Sequence, residues 1–188
     1  MKARLAIFVS GSGSNCENII RYFSGSSDVE VGIVVSNKAD AYALTRARNL
    51  NVPTAVISGK EVRENRDLVL STIEGCNWII LAGYLVQVPE YLIDLYPNRI
   101  INIHPALLPK YGGKGMWGHH VHEAVKAAGE KESGITIHFV NYNLDEGEHI
   151  AQFSTPLSPD DTPDDIAAKV HVLEMAHFPQ VIESVVAK

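Results

Sequence analysis

Asn102-Ile103-His104-Pro105 is the segment of this sequence best equipped for chemistry near neutral pH. On an extended backbone residues 102 and 104 point the same way, so an amide and an imidazole project together. An amide NH2 can donate to an oxygen on which negative charge develops, and an adjacent imidazole can move protons near pH 7. The same pair is also compatible with a histidine that only caps a loop. A second candidate is Ser10-Gly11-Ser12-Gly13-Ser14-Asn15, where an apolar run gives way to helical spacing. Glycines there permit a tight turn, and the following helix offers free N–H groups and partial positive charge to an anion. No Gly-Lys-Ser/Thr follows, and Cys16 stands where a dinucleotide fingerprint has its third glycine. A plain Gly-rich turn is therefore the competing reading. The third candidate, Asn143-Leu144-Asp145-Glu146-Gly147, is by default a solvated acidic turn. If Asp145 reached His104, its charge would stabilise the protonated imidazole.

All 8 histidines lie at or beyond position 104, which invites a metal reading. His120-Val121-His122 has an HxH spacing, but on a helix such positions point about 200° apart and share no face. His138, His171 and His177 are scattered, and no third ligand stands at a zinc-like spacing. No metal is expected. Cys16 and Cys76 form no CxxC or Cys/His pattern and read as buried free thiols, with an internal disulfide left open.

The elements that must position these residues alternate. Strands are expected at 4–9, 30–36, 53–57, 77–82 and 99–103, with helices at 15–23, 39–50, 60–74 and 89–96 between them. Continuous apolar strands separated by amphipathic helices predict an α/β fold, a mostly parallel sheet with helices on both faces. Residues 105–118 read as a long loop, and loops of that length are often functional. A helix follows at 119–128. Residues 135–141 alternate as a half-buried strand, Thr136 and His138 facing away from Ile135, Ile137 and Phe139, and 149–155 is its antiparallel neighbour. Thr162-Pro163-Asp164-Asp165 starts a closing helix that runs to Val186 with a break expected at Pro179.

The chain has 188 residues, 46% hydrophobic and 20% charged, with a net charge of −6. That is the size of one domain, 1–188. The absence of a basic run argues against a nucleic-acid partner. Residues 5–9 are too short for a signal-peptide core, and the apolar run from 78 to 86 is interrupted by Gly83, so no membrane association is expected. The expectation is a cytoplasmic protein acting on small molecules, as a monomer or a homodimer.

Several segments in this order carry a resemblance over nearly the whole chain: VSGSGSN (9–15), SNKADAYALTRA (36–47), LAGY (81–84), INIHPALLPKY (101–111), GITIHFV (134–140), LDEG (144–147) and DDIAAKVHVLEMAHFP (164–179). They are similar to the formyltetrahydrofolate-dependent formyltransferases, and most of all to those whose acceptor is glycinamide ribonucleotide. The resemblance implies a Rossmann-like formyltransferase fold with an antiparallel C-terminal part and a folate site at the strand ends. It implies 10-formyltetrahydrofolate as co-substrate and no metal. By position, Gly13, Ser14 and Asn15 would hold the acceptor's phosphate and Glu174 its ribose. Asn102, His104 and Asp145 match the family's catalytic trio, and Asn102 also faces the folate. Arg63 matches a position at the folate tail, and Leu85, Val86, Gln87 and Val88 the strip lining its pocket.

Two departures stand out. The family often has an arginine where Val86 stands, and Gly112 to Gly118 is longer than its usual connection. Among related activities, tRNA-directed formyltransferases carry an extra C-terminal domain and the deformylases an extra N-terminal one. Sugar-nucleotide formyltransferases share the trio but are not expected to share the SGSGSN turn. Outside this chemistry, a metal-dependent hydrolase would have to use the scattered histidines, and a non-catalytic nucleotide-binding module the Gly-rich turn alone.

Overall fold

Leu5 to Val9 are apolar on both sides of the strand and buried without alternation, the pattern of a central parallel strand. The computed structural model describes residues 2–187. Its elements are β1 (Ala3–Val9), α1 (Ser14–Tyr22), β2 (Val29–Ser36), α2 (Tyr42–Asn49), β3 (Thr54–Val56), α3 (Gly59–Glu64) and α4 (Arg66–Thr72). There follow β4 (Trp78–Leu81), α5 (Glu90–Leu95), β5 (Ile100–His104), α6 (His119–Ala127), β6 (Glu132–Phe139), β7 (His149–Pro156) and α7 (Pro163–Val186). The strand order is β3-β2-β1-β4-β5-β6-β7. β1 pairs in parallel with β2 and β4, and β2 with β3, whereas β6 and β7 are antiparallel. This is the expected mostly parallel α/β sheet with an antiparallel C-terminal part. Among the described residues no helix is long and apolar enough to cross a membrane.

The chain forms two compact units, one running through Ile101 and resuming at Ile182, the other comprising Asn102–Val181. In the first, the stretch expected as one helix at 60–74 is two. Asn65 leaves helical geometry at φ −119°, donates its N–H to the Glu61 carbonyl, and accepts from Leu68 N at 3.1 Å. Its amide side chain competes with the backbone and closes one helix while capping the next. The helix expected from 39 begins only at Tyr42, because Ala41 is extended at its N-cap. Cys16 and Cys76 are both free and buried.

In the second unit β6 departs from the half-buried strand expected: Thr136 and His138 are buried along with Ile135 and Ile137. The reason is the loop after β5, which occupies the polar face. Thr136 Oγ1 donates to the Ala106 carbonyl at 2.7 Å and accepts from Leu108 N at 3.0 Å. Gln152 on β7 donates from Nε2 to both the Leu108 carbonyl and Thr136 Oγ1, each at 2.9 Å. α7 begins at the expected cap, with Thr162 Oγ1 accepting from Asp165 N and Asp165 accepting from Thr162 N. The expected break does not occur, and the helix continues through Pro179. Phe178 and Ile182, fully buried and four residues apart, keep its apolar face in line, and that burial outweighs the missing N–H.

The Thr136 clamp makes a measurable contribution. Thr136→Val keeps the shape but leaves Leu108 N–H without its acceptor, so urea unfolding should show a loss of about 1–3 kcal/mol. An unchanged midpoint would show that the clamp is dispensable.

Candidate active site

The Gly-rich turn lies within the first unit and ends at Gly13, the N-cap of α1, at φ 77° and ψ 26°. Glycine is required there twice over: the backbone is left-handed, and a Cβ would overlap Ala43 of α2. Ala43 N donates to the Gly11 carbonyl at 3.1 Å, and Arg46 Nε to the Ser12 carbonyl at 2.9 Å. Arg46 also pairs with Glu17, so its charge is already committed to the protein. The turn is thus braced by α2, and Ser14 and Asn15 open α1 after an N-cap glycine that has no side chain to offer its first amides. A helix end of this kind is suited to an anion.

Ser10, which the sequence reading used only as part of this turn, is 3% exposed and tied to two other segments. Its Oγ lies 2.5 Å from Asn37 Oδ1, and it accepts from Leu85 N at 2.9 Å. The strip Leu85–Val88 is anchored there. Leu85 is half exposed, Val86 partly buried, Gln87 exposed and Val88 buried. Arg63 on α3 is exposed, and Gly59 brings it together with Val86: a Cβ at Gly59 would stand 3.2 Å from Val86 Cγ2 and 3.6 Å from Arg63 Nη1.

The second unit brings Asn102, His104 and Asp145 together. His104 is 4% exposed, and its Nε2 donates to the Tyr111 carbonyl at 2.7 Å. A carbonyl oxygen only accepts, so Nε2 carries a proton and Nδ1 is the nitrogen left for chemistry. Nδ1 lies 3.7 Å from Asp145 Oδ2. That is within ion-pair distance but too long for a hydrogen bond, so Nδ1 is left to meet an oxygen atom of another molecule. Asp145 is itself held by the Gly113 N–H, which donates to Oδ2 at 2.9 Å. Tyr111 and Asp145 both have left-handed backbones, at φ 57° and 58°. For a tyrosine that is an uncommon conformation, and such strain is concentrated at functional sites. The Tyr111 hydroxyl and Lys110 Nζ both donate to Glu130 Oε1, at 2.8 and 2.9 Å, which pins the strained residue.

Glu174 accepts from His171 Nδ1 at 3.0 Å, and its charge also acts on His122. The Glu174 carboxylate draws the His171 pKa upward, while burial lowers that of His122. His120 and His122 do not share a face, as expected: His122 is 7% exposed with Nδ1 unpartnered, whereas His120 is exposed and pairs with Glu123 at 3.1 Å. Trp117, half exposed, packs edge-on against the His120 ring with centroids 5.1 Å apart. Among the described residues no group of three or more His, Cys, Asp or Glu side chains could hold a metal ion.

Two residues at this site are not among those expected from the sequence: Tyr111, and His138, which stood there only as one of the scattered histidines. The first acts through its main chain, which leaves no signature in side-chain type. The second was visible as the strand residue two beyond Thr136, but its partner, Asn102, is 36 residues away.

Residues 3–182 match the formyl transferase family. The chain is 40% identical to a chloroplastic phosphoribosylglycinamide formyltransferase of Arabidopsis thaliana, over 98% of this chain and 65% of that protein. It is 33% identical to the phosphoribosylglycinamide formyltransferase of Haemophilus influenzae, over 96% of this chain and 85% of the relative. A crystal structure of phosphoribosylglycinamide formyltransferase from Brucella melitensis superposes with a TM-score of 0.89 at 33% identity, over 100% of this chain and 97% of the other. The chain spans somewhat less than two-thirds of the plant relatives it matches, 65% and 61% of their lengths.

Burial disfavours the charged imidazole at His122 and His138, so both titrate below the ordinary value near 6.5. The unfolded chain takes up these protons first as pH falls, so the stability present above about 6.5 is lost through the folded pKa values. Urea unfolding between pH 7.5 and 5 should therefore show declining stability. In a His122→Gln/His138→Gln variant the decline should be shallower by up to about 1.4 kcal/mol per pH unit for each histidine. A variant that tracks the parent slope would contradict this.

Proposed function

The chain belongs to the formyl transferase family, and on that premise we propose that it transfers the formyl group of 10-formyltetrahydrofolate to the amine of glycinamide ribonucleotide, a step of purine biosynthesis. The observation that carries this reading is the convergence of Asn102, His104 and Asp145 with an Nδ1–Oδ2 gap of 3.7 Å. The amine attacks the formyl carbon, forming an N–C bond, and negative charge develops on the formyl oxygen. Asn102 donates to that oxygen from its amide, and a protonated His104 donates from Nδ1. Asp145 places its charge beside the imidazolium and, through water, assists the proton from the attacking amine to the folate nitrogen as the C–N bond to the folate breaks. Holding both reactants in place supplies the entropic part of the acceleration.

Gly13, Ser14 and Asn15 would hold the acceptor's phosphate, which the N-terminal end of α1 favours. Glu174 would take the ribose hydroxyls. Arg63 would meet the negative tail of the folate, and Leu85, Val86, Gln87 and Val88 its ring system. The neighbouring positions of Arg63 and Val86 support a ligand with an apolar body and an anionic end. Val86 itself would contribute only packing. In this reading residues 1–188 act as one catalytic domain on two small molecules, without a metal, in the cytoplasm, as a monomer or homodimer.

The purified protein incubated with both compounds should yield formylated glycinamide ribonucleotide and tetrahydrofolate, and exhaustive chelation should leave the rate intact. Hydrolysis of the folate with no formylated product would overturn the reading. His104→Ala should lower kcat by about 100-fold or more in a protein that still folds cooperatively, as read from its melting transition; near-parental turnover would remove His104 from the chemistry.

A further inference from the structure

We infer that His138 is a positioning residue for this transfer: it acts as a neutral hydrogen-bond acceptor that decides which end of the Asn102 amide faces the reacting oxygen. The role rests on the transfer reaction proposed above, but it follows from hydrogen bonds within the second unit. His138 is 2% exposed on β6, and its Nδ1 lies 2.9 Å from the Phe139 carbonyl oxygen. Because that oxygen can only accept, Nδ1 carries the proton and donates it. In the neutral ring Nε2 then has only a lone pair, and it stands 3.1 Å from Asn102 Nδ2. Asn102 must meet it with N–H, since its oxygen in that place would set two acceptors against each other. One amide hydrogen is thereby committed to His138. The other remains for an oxygen that gains charge, beside the Nδ1 of His104.

The alternative arrangement shows what is at stake. A doubly protonated His138 would present N–H at Nε2 and would pair with the amide oxygen of Asn102. The amide would turn over, and an acceptor would stand where the transition state needs a donor. Several surroundings bear on this choice. Burial keeps the ring neutral, and the charges of His104 and of His149, its register partner on β7, oppose a second proton. Asp145 Oδ1, 3.8 Å from Nε2, pulls the other way but does not outweigh the loss of water. The anchoring carbonyl is itself closely covered. A Cβ at Gly147 would overlap the Phe139 oxygen and come within 3.4 Å of His138 Nδ1. The turn that carries Asp145 therefore closes directly over the bond that sets the tautomer.

The test compares His138→Gln with His138→Met, alone and in an Asn102→Ala background. The two replacements are similar in size, but only glutamine offers a strong acceptor to the Asn102 amide. His138→Met should lower kcat about 10- to 100-fold, less than loss of the donor itself, with KM for both substrates within about threefold. His138→Gln should recover most of that loss. In the Asn102→Ala background His138→Met should cost no further activity, because there is no amide left to orient. Equal losses for Gln and Met, or losses that multiply with Asn102→Ala, would overturn the role while parental transfer activity stands. A parental protein without transfer activity would overturn the reaction itself.

Discussion

The burial of the His104 imidazole at the end of β5 is the constraint to which the rest of the second unit answers. A ring 4% exposed must find partners for its nitrogens inside the protein, or its burial opposes folding. Tyr111 supplies a carbonyl and Asp145 a carboxylate, and each does so from a left-handed backbone. Two uncommon conformations facing one side chain need support. Glu130 holds Tyr111 and Lys110 by their side chains, Gly113 holds Asp145 by its amide, and Thr136 with Gln152 fixes the intervening loop at Ala106 and Leu108. The result is an imidazole whose Nε2 proton is spent on structure and whose Nδ1 is kept beside a negative charge without being bonded to it.

β6 is the common support. Its Gly134, Thr136 and His138 lie on one face at a period of two, and each meets a different part of the site. Gly134 admits Leu107 and the Phe153 carbonyl, Thr136 grips the loop, and His138 orients Asn102. A strand that reads as half solvated is in fact the floor on which the loop after β5 is laid. Its burial also explains why Thr136 and His138 are hydrogen-bonded, since an unsatisfied hydroxyl or imidazole there would be costly; Ser133 Oγ, buried on the same strand without a partner, is the exception.

In the first unit the logic is simpler. The turn before α1 needs no charged side chain, because the backbone amides and the helix end provide the field. Arg46, the cation beside the turn, spends its charge on Glu17 and the Ser12 carbonyl. A net charge of −6 is therefore compatible with a ligand that carries phosphate.

Much of this was written in the sequence. The order of strands and helices followed from apolar runs and helical spacing, the α7 start from its cap, and the Asn102/His104 pair from residue type and position, with Asp145 joined to it by the family resemblance. Those signals are local, acting over a few residues of chain. The break at Asn65 was misread because a side chain competing for backbone bonds looks like any polar residue in a helix. Pro179 was misread because the burial of Phe178 and Ile182 outweighs its local cost. The tertiary structure alone decided which nitrogen of His104 is available, why Thr136 and His138 are buried, and how the Asn102 amide is turned. Each of these depends on partners 7 to 36 residues away, Tyr111 for His104, Leu108 for Thr136 and Asn102 for His138. Hydrogen-bond direction is set by the partner as much as by the residue, and the partner is chosen only when the chain folds.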